Sequence, residues 1–394
     1  MNWNSAKNLN ENNYELPGDW LKIEYFEALN ILFRVENSLR IFVYIILKNE
    51  FKEKWKDLAV TSDDSETSTI GAIAKKRIAQ DKNFAYLGYV ISSPLLHLTS
   101  GELIRIITSE SYWKFFKNYF PGSKEIIKNK LDEIGNVRNS LAHFRPIKKG
   151  DIELVKQNSI HTLSEIEKTI NDFLNCRDVV PTNTEENWYK ELITIGIDEC
   201  KISFKQSKKG EWIKLQLKFT PPVISKNIRW PGYIVKTFNL RSDNLSTIYN
   251  NLINSCISVN EINPSAYTQN PDNHQISKII EFTFGIKSIE KNYLSIKIDL
   301  ENILLKISQE ITLIKDDNLA RGKLIEVVDC SYRKINESDY YELRANSFST
   351  ELDESSPVEF WGSLGYYDKD FISSAEKYPW MPTEVSHDNS SLPF

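Results

Sequence analysis

One stretch, Leu131-Asp-Glu-Ile-Gly-Asn-Val-Arg-Asn-Ser-Leu-Ala-His-Phe-Arg-Pro146, crowds a histidine, an arginine and a polar amide at the end of an expected helix. Arg138, Asn139 and His143 read Arg-Asn-x-x-x-His, and Arg145 follows in the next turn of chain. Histidine suits proton transfer because its ordinary pKa lies near neutrality. Arginine suits a phosphate because it stays charged and presents a planar fork of donors. Asparagine can orient the imidazole or donate to a phosphate oxygen, and the residues leave both roles open. The combination fits RNA cleavage without a metal, since the ribose 2′-OH is itself a nucleophile beside the scissile phosphate. Such a site must take the 2′ proton, protonate the leaving 5′ oxygen and neutralise charge on phosphorus. The surrounding charge suits that ligand. Ser123 to Lys149 holds seven Lys and Arg against three Asp and Glu, and Lys130, Arg145, Lys148 and Lys149 are the candidate RNA-backbone contacts.

The helix that carries these residues follows from its apolar spacing. Ile127, Leu131, Ile134, Val137 and Leu141 fall on one face, with Ser123 as the expected N-cap. Arg138 lies beside that apolar arc, where a charge is costly unless it is paired or faces a polar cleft. Asn139 and His143 share the opposite face. Pro146 disfavours helical geometry at Arg145, so the helix is expected to end near Phe144, with His143 in its last turn. On a straight helix Arg138 and His143 point well over a right angle apart. Either the helix bends at Gly135-Asn136, or it ends early, or the working pair is completed across a dimer.

Arg138-Asn139-x-x-x-His143, late in an expected all-helical unit, resembles the signature of the HEPN superfamily, and Leu131 to Pro146 is similar to the corresponding segment of abortive-infection HEPN proteins. The resemblance covers residues 20–175. It implies a metal-independent endoribonuclease in prokaryotic antiviral defence or growth arrest, acting without cofactor. It further implies a homodimer through the helical domain, with two copies of the motif meeting in one cleft, and an antitoxin or trigger molecule as partner. Carried onto this chain, Arg138 and His143 are catalytic and Asn139 assists. A rival reading keeps the same residues in a non-catalytic role: an HEPN-like module that binds RNA or nucleotide, or dimerises, beside a β-rich recognition domain.

Composition narrows the alternatives. The chain of 394 residues carries a net charge of −5, which argues against a protein coated in basic surface for duplex DNA. The longest apolar run, Ile41 to Leu47, falls well short of the roughly 18 residues that span a bilayer. The polar N-terminus lacks the pattern of a signal peptide, and a cytoplasmic protein is expected. Cys176, Cys200, Cys256 and Cys330 show no Cys-x-x-Cys spacing, and the five histidines are scattered, so neither a local metal site nor a disulfide framework is indicated. The cysteines read as small buried apolar residues.

The order of patterns predicts two domains: an N-terminal all-α helical bundle, HEPN-like, followed by an α+β domain with an antiparallel sheet. Residues 1–18 read as a flexible lead-in, 19–178 as the helical domain, 179–187 as a linker, 188–380 as a sensor or substrate-recognition domain, and 381–394 as a disordered tail. Within the first, Leu21, Tyr25, Leu29, Leu32, Val35, Leu39, Phe42, Val43 and Ile46 predict one long amphipathic helix, on which Glu36 and Arg40 are expected to pair across a turn at the surface. Thr61 to Thr69 reads as a polar loop, Ile70 to Lys82 as a helix, Thr99-Ser-Gly-Glu102 as a capping box, and Ile152 to Leu174 as a further helix. In the second, Lys201–Lys205 and Trp212–Phe219 alternate as a hairpin, and strands are expected at Tyr233–Leu240, Ile279–Phe284, Leu294–Leu300 and Lys323–Val328. One helix is expected from Leu245 to Ile253, capped by Ser242 or Asp243. Of the aromatics there, Trp212, Trp361, Tyr366, Tyr367 and Trp380 are expected in the core, while Trp230-Pro-Gly-Tyr233 is the set most suited to exposure and base stacking. Glu351 to Phe394 is acidic, nine Asp and Glu against two Lys.

Overall fold

The computed structural model describes residues 7–10, 13–15, 23–61, 67–82, 94–143, 145–174, 176, 181–229, 232–264, 267–269, 275–317, 321–335, 340–345 and 348. Within them the chain is mixed α+β, with ten α-helices and antiparallel sheets. Pro17-Gly18, Trp230, Pro231 and the acidic end from Glu351 lie outside the described residues. The expected flexible lead-in contains a hairpin, β1 (Lys7–Asn10) with β2 (Asn13–Glu15).

Helix α1 (Ile23–Phe51) is central. Its Ile41–Leu47 run is apolar on every side, so Ile41 to Lys48 are all buried, and no polar face remains over that span. Over that span the expected amphipathic helix is instead surrounded, while Leu29 near its start and Glu50 at its end are exposed. The expected loop after it is pinned at both ends by β3 (Ala59–Thr61) pairing with β4 (Thr67–Thr69), and α2 (Ile70–Lys82) follows. Helix α3 (Ser100–Thr108) opens on the Thr99–Glu102 capping box, both halves of which are formed. A short α4 (Trp113–Phe116), then α5 (Lys124–Ala142) and α6 (Lys149–Leu174), complete the helical region, and α3, α5 and α6 pack on α1. Phe42 at the centre meets Phe116, Tyr119 and Phe120 with ring centroids 5.2–6.0 Å apart.

The segment expected as a linker is tied down: Thr182 N donates to Gln206 Oε1 at 2.8 Å, and α7 (Asn187–Ile193) follows directly. Beyond it come β5 (Gly196–Ile197), β6 (Cys200–Gln206), β7 (Trp212–Phe219), β8 (Ser225–Arg229) and β9 (Gly232–Leu240). The expected Leu245–Ile253 helix is two short ones, α8 (Ser242–Ile248) and α9 (Asn250–Ser255). Tyr249, at φ −106° and ψ 76°, breaks the helical path between them. Arg241, not Ser242 or Asp243, occupies the N-cap of α8. Then follow β10 (Ser258–Ile262), β11 (Tyr267–Thr268), β12 (Lys278–Gly285), α10 (Ile286–Asp317), β13 (Ile325–Lys334) and β14 (Tyr341–Arg344). One sheet is ordered β10-β12-β7-β6-β5 and the other β11-β14-β13-β9-β8.

The expected strand at Leu294–Leu300 is overturned, because those residues lie inside the 32-residue α10. Their apolar positions alternate over a short window, but Ile289, Ile296, Leu300, Ile303, Ile307, Ile311 and Ile314 continue at three, four and seven residues and are buried, whereas Leu294 and Ile298 are exposed.

The helical and β-rich regions are joined through buried contacts. Trp212 of β7 and Ile257 belong to the apolar cluster built around α1. Phe173 and Trp212 meet edge to face at 5.4 Å, and Tyr44 Oη donates to Ile257 O at 2.6 Å. The two sheets are pinned by Lys278, fully buried on β12. Its ammonium donates to Asn239 Oδ1, Leu240 O and Phe348 O at 3.2, 2.9 and 2.7 Å and pairs with Glu261 at 3.0 Å.

Candidate functional site

Helix α5 runs without a break through Gly135 and Asn136, so no bend brings Arg138 toward His143. The helix ends early instead. Ala142 is its last residue and His143 is the C-cap, at φ −99° and ψ 17°. The end is closed by two backbone bonds, His143 N to Asn139 O at 3.1 Å and Arg145 N to Ser140 O at 2.8 Å. The second is the six-to-one bond of a Schellman-type stop. Ser123 holds the N-cap position of α5, but its hydroxyl makes no capping bond.

Arg138 sits at the edge of the apolar face, as its place on the wheel requires, and its charge is met by a carboxylate from α1. Its Nε donates to Glu36 Oε2 at 3.1 Å, across 102 residues of sequence, and Nη1 lies 3.4 Å from Asn139 Oδ1. Nη2 makes no hydrogen bond among the described residues. About a third of the Arg138 side chain is exposed, against 11 % of Glu36.

Glu36 is the residue that sequence reasoning misplaced. It does pair with Arg40 across one helical turn, as expected, but inside the protein rather than at its surface. Arg40 also donates to Asn37 Oδ1 at 2.9 Å and to Leu98 O at 3.0 Å. Burial pulls the Arg40 guanidinium below its ordinary value; Glu36 opposes that shift and Arg138 adds to it. The signal was present: Glu36 stands four residues after Leu32 and three before Leu39, within the apolar stripe. An acid there needs a buried cation. Leu32, Val35, Leu39, Ile104, Leu131 and Ile134 line the shallow groove that this carboxylate and Arg138 share.

His143 and Asn139 are exposed, and the His143 side chain makes no hydrogen bond among the described residues. Arg145 and Lys148, in the connection to α6, and Lys149, the first residue of α6, are exposed and lie close after His143 in the chain. Asp151 ties that connection down by accepting from Lys148 N at 2.8 Å. Lys130 stands apart, roughly 12 Å back along α5 from Arg138. The structure therefore joins Arg138 to Asn139 and Glu36. It does not bring the imidazole of His143 onto the guanidinium within one chain.

The four cysteines are buried and unpaired with one another, and burial pushes the thiols of Cys176 and Cys256 up to about 12. Trp212 is in the core, as expected. Among the described residues no cluster of three or more His, Cys, Asp or Glu is placed to hold a metal ion. No described helix is long and apolar enough to cross a membrane. No protein-family model, curated protein or solved structure matches the chain.

Proposed function

We propose that the chain is a dimeric, metal-independent endoribonuclease of the HEPN type, with a helical domain carrying the site and the β-rich remainder selecting RNA or sensing a trigger. The observation that carries this reading is Arg138. Its Nε is anchored on a buried carboxylate and its Nη1 on Asn139 Oδ1, while Nη2 makes no hydrogen bond among the described residues, on a helix whose last turn gives way to an exposed histidine and a run of Arg145, Lys148 and Lys149. An anchored guanidinium is a pre-oriented phosphate ligand.

In this reading the 2′ oxygen attacks phosphorus and the bond to the 5′ oxygen breaks. One imidazole takes the 2′ proton and a second protonates the leaving 5′ oxygen, giving a 2′,3′-cyclic phosphate and a 5′-OH. A single His143 per chain supplies one imidazole, so a two-fold dimer supplies the pair. Arg138 neutralises the equatorial phosphate oxygens and Asn139 orients the imidazole or the phosphate. Prokaryotic defence or growth arrest, in the cytoplasm and under an antitoxin or trigger, is the setting that the resemblance to HEPN proteins adds.

The Glu36–Arg138 pair also favours a second reading, in which Arg138 is structural and the module binds RNA or dimerises without cutting. The two separate cleanly. For the ribonuclease, His143→Ala and Arg138→Ala each lower RNA cleavage by about 100-fold or more while the circular dichroism of the fold persists. Full cleavage by a folded His143→Ala protein would leave only the second reading.

A further inference from the structure

The second sheet carries a feature that this chemistry does not use. Tyr233 of β9 and Tyr341 of β14 lie on the same face, on strands that flank β13, and their rings meet with centroids 6.0 Å apart and planes inclined by 35°. On that same face Val235, Val328, Cys330, Tyr332 and Leu343 form a small apolar cluster, and the two tyrosines pack at its rim. Tyr332, the direct cross-strand partner of Tyr233, is buried, while Tyr233 and Tyr341 are only half-buried. The ammonium of Lys226 stands 4.2 Å from the Tyr233 ring centroid, and exposed Lys334 is the cross-strand partner of Tyr341. On the other side of Tyr233 its partner Ile228, on edge strand β8, leaves 85 % of its surface exposed.

We propose that this face binds single-stranded RNA, with unpaired bases stacked on Tyr233 and Tyr341 and the phosphates met by Lys226 and Lys334. Two phenol rings steadied at the rim of that cluster keep part of their surface open, a base of any type can stack on such a ring, and the apolar Ile228 extends the platform by one strand. A lysine beside each ring supplies the positive charge that tracks a phosphate backbone. Bases inside a duplex already stack on each other, so such a ring pair reaches only unpaired ones. The choice of RNA as the nucleic acid rests on the ribonuclease reading above.

The test uses the full chain carrying His143→Ala and a labelled oligouridylate, followed by fluorescence anisotropy. Tyr233→Ala with Tyr341→Ala is expected to weaken binding about 10-fold or more, whereas the matching Phe pair, which keeps both rings, stays within about twofold. If the alanine pair fails to fold, ultraviolet crosslinking of the same RNA to the parent is decisive. Adducts on the β9 or β14 peptides support the face, and adducts confined to other peptides overturn it. Unchanged affinity in a folded alanine pair, or equal affinity for a duplex of the same length, also overturns it. RNA that is bound here but never cut by the wild-type chain removes the ribonuclease and leaves this face standing. RNA that is cut, with binding indifferent to both tyrosines, does the reverse.

Discussion

Glu36 answers two guanidiniums, Arg40 within α1 and Arg138 from α5, with most of its own surface removed from water. Removing a buried carboxylate from that position costs more than the pair itself contributes, because the buried Arg40 guanidinium is left without its counter-charge. Glu36→Ala is therefore expected to cost about 3 kcal/mol in urea unfolding. Arg138→Ala, at the more exposed end, is expected to cost nearer 1 kcal/mol, since solvent screens that partner. An equal cost for both would show that Arg40 does not depend on Glu36. The motif Arg138-Asn139-x-x-x-His143 was legible in the sequence because its members are neighbours. The carboxylate was not, because its second partner lies on another helix and only packing brings them together.

A second carboxylate gives a pH signature. Glu102 receives both Nη atoms of Arg77 at 2.7 and 2.8 Å and the Thr99 backbone N–H at 2.7 Å. Burial alone pushes its carboxyl up, but Arg77 and Thr99 together outweigh that and hold it below the ordinary 4.5. A depressed folded value means that the stabilisation is complete above pH 4.5 and is lost as the pH falls through the folded value. The stability gap between wild type and Glu102→Gln is thus expected to be constant above that pH and to shrink below it. Urea midpoints across an acid series check this, and a gap that persists unchanged at low pH contradicts it.

At the scale of elements, α5 was readable end to end: its apolar face, its stop before Pro146 and the exposure of Asn139 and His143 all follow from residue types. The long α10 was not. Leu294-Ser-Ile-Lys-Ile-Asp-Leu300 alternates as a strand would, and only the wider window from Ile289 to Ile314 reveals the helical period. In a strand, positions 294, 296, 298 and 300 would share one face. The helix separates them, burying Ile296 and Leu300 and exposing Leu294 and Ile298. Leu300→Ala is accordingly expected to cost about 2–5 kcal/mol and Ile298→Ala under about 0.5 kcal/mol. Comparable losses at the two positions in thermal or urea unfolding would contradict the helix. Tyr249 marks a further limit of pattern reading, since nothing in its type announces the break between α8 and α9.

At the scale of the molecule, the change of apolar period from helical to alternating was plain in the sequence, and the antiparallel hairpin β6–β7 is where it was expected. How the halves meet was hidden, because the contacts are single residues far apart in the chain. Trp212 and Ile257 complete the cluster around α1, and the Tyr44 hydroxyl reaches the Ile257 carbonyl. Trp212 fluorescence and helical circular dichroism are therefore expected to change in one common unfolding transition. Tyr44→Phe is expected to lower that transition by about 1–2 kcal/mol without splitting it. Two resolved transitions would show that the halves fold independently.

The most direct measurement is end-group analysis of cellular RNA incubated in excess EDTA with purified wild type and, in parallel, with His143→Ala. Fragments ending in 2′,3′-cyclic phosphate are expected from the wild type alone. Identical fragments from both proteins would contradict it, because the cutting would then owe nothing to the histidine at the end of α5.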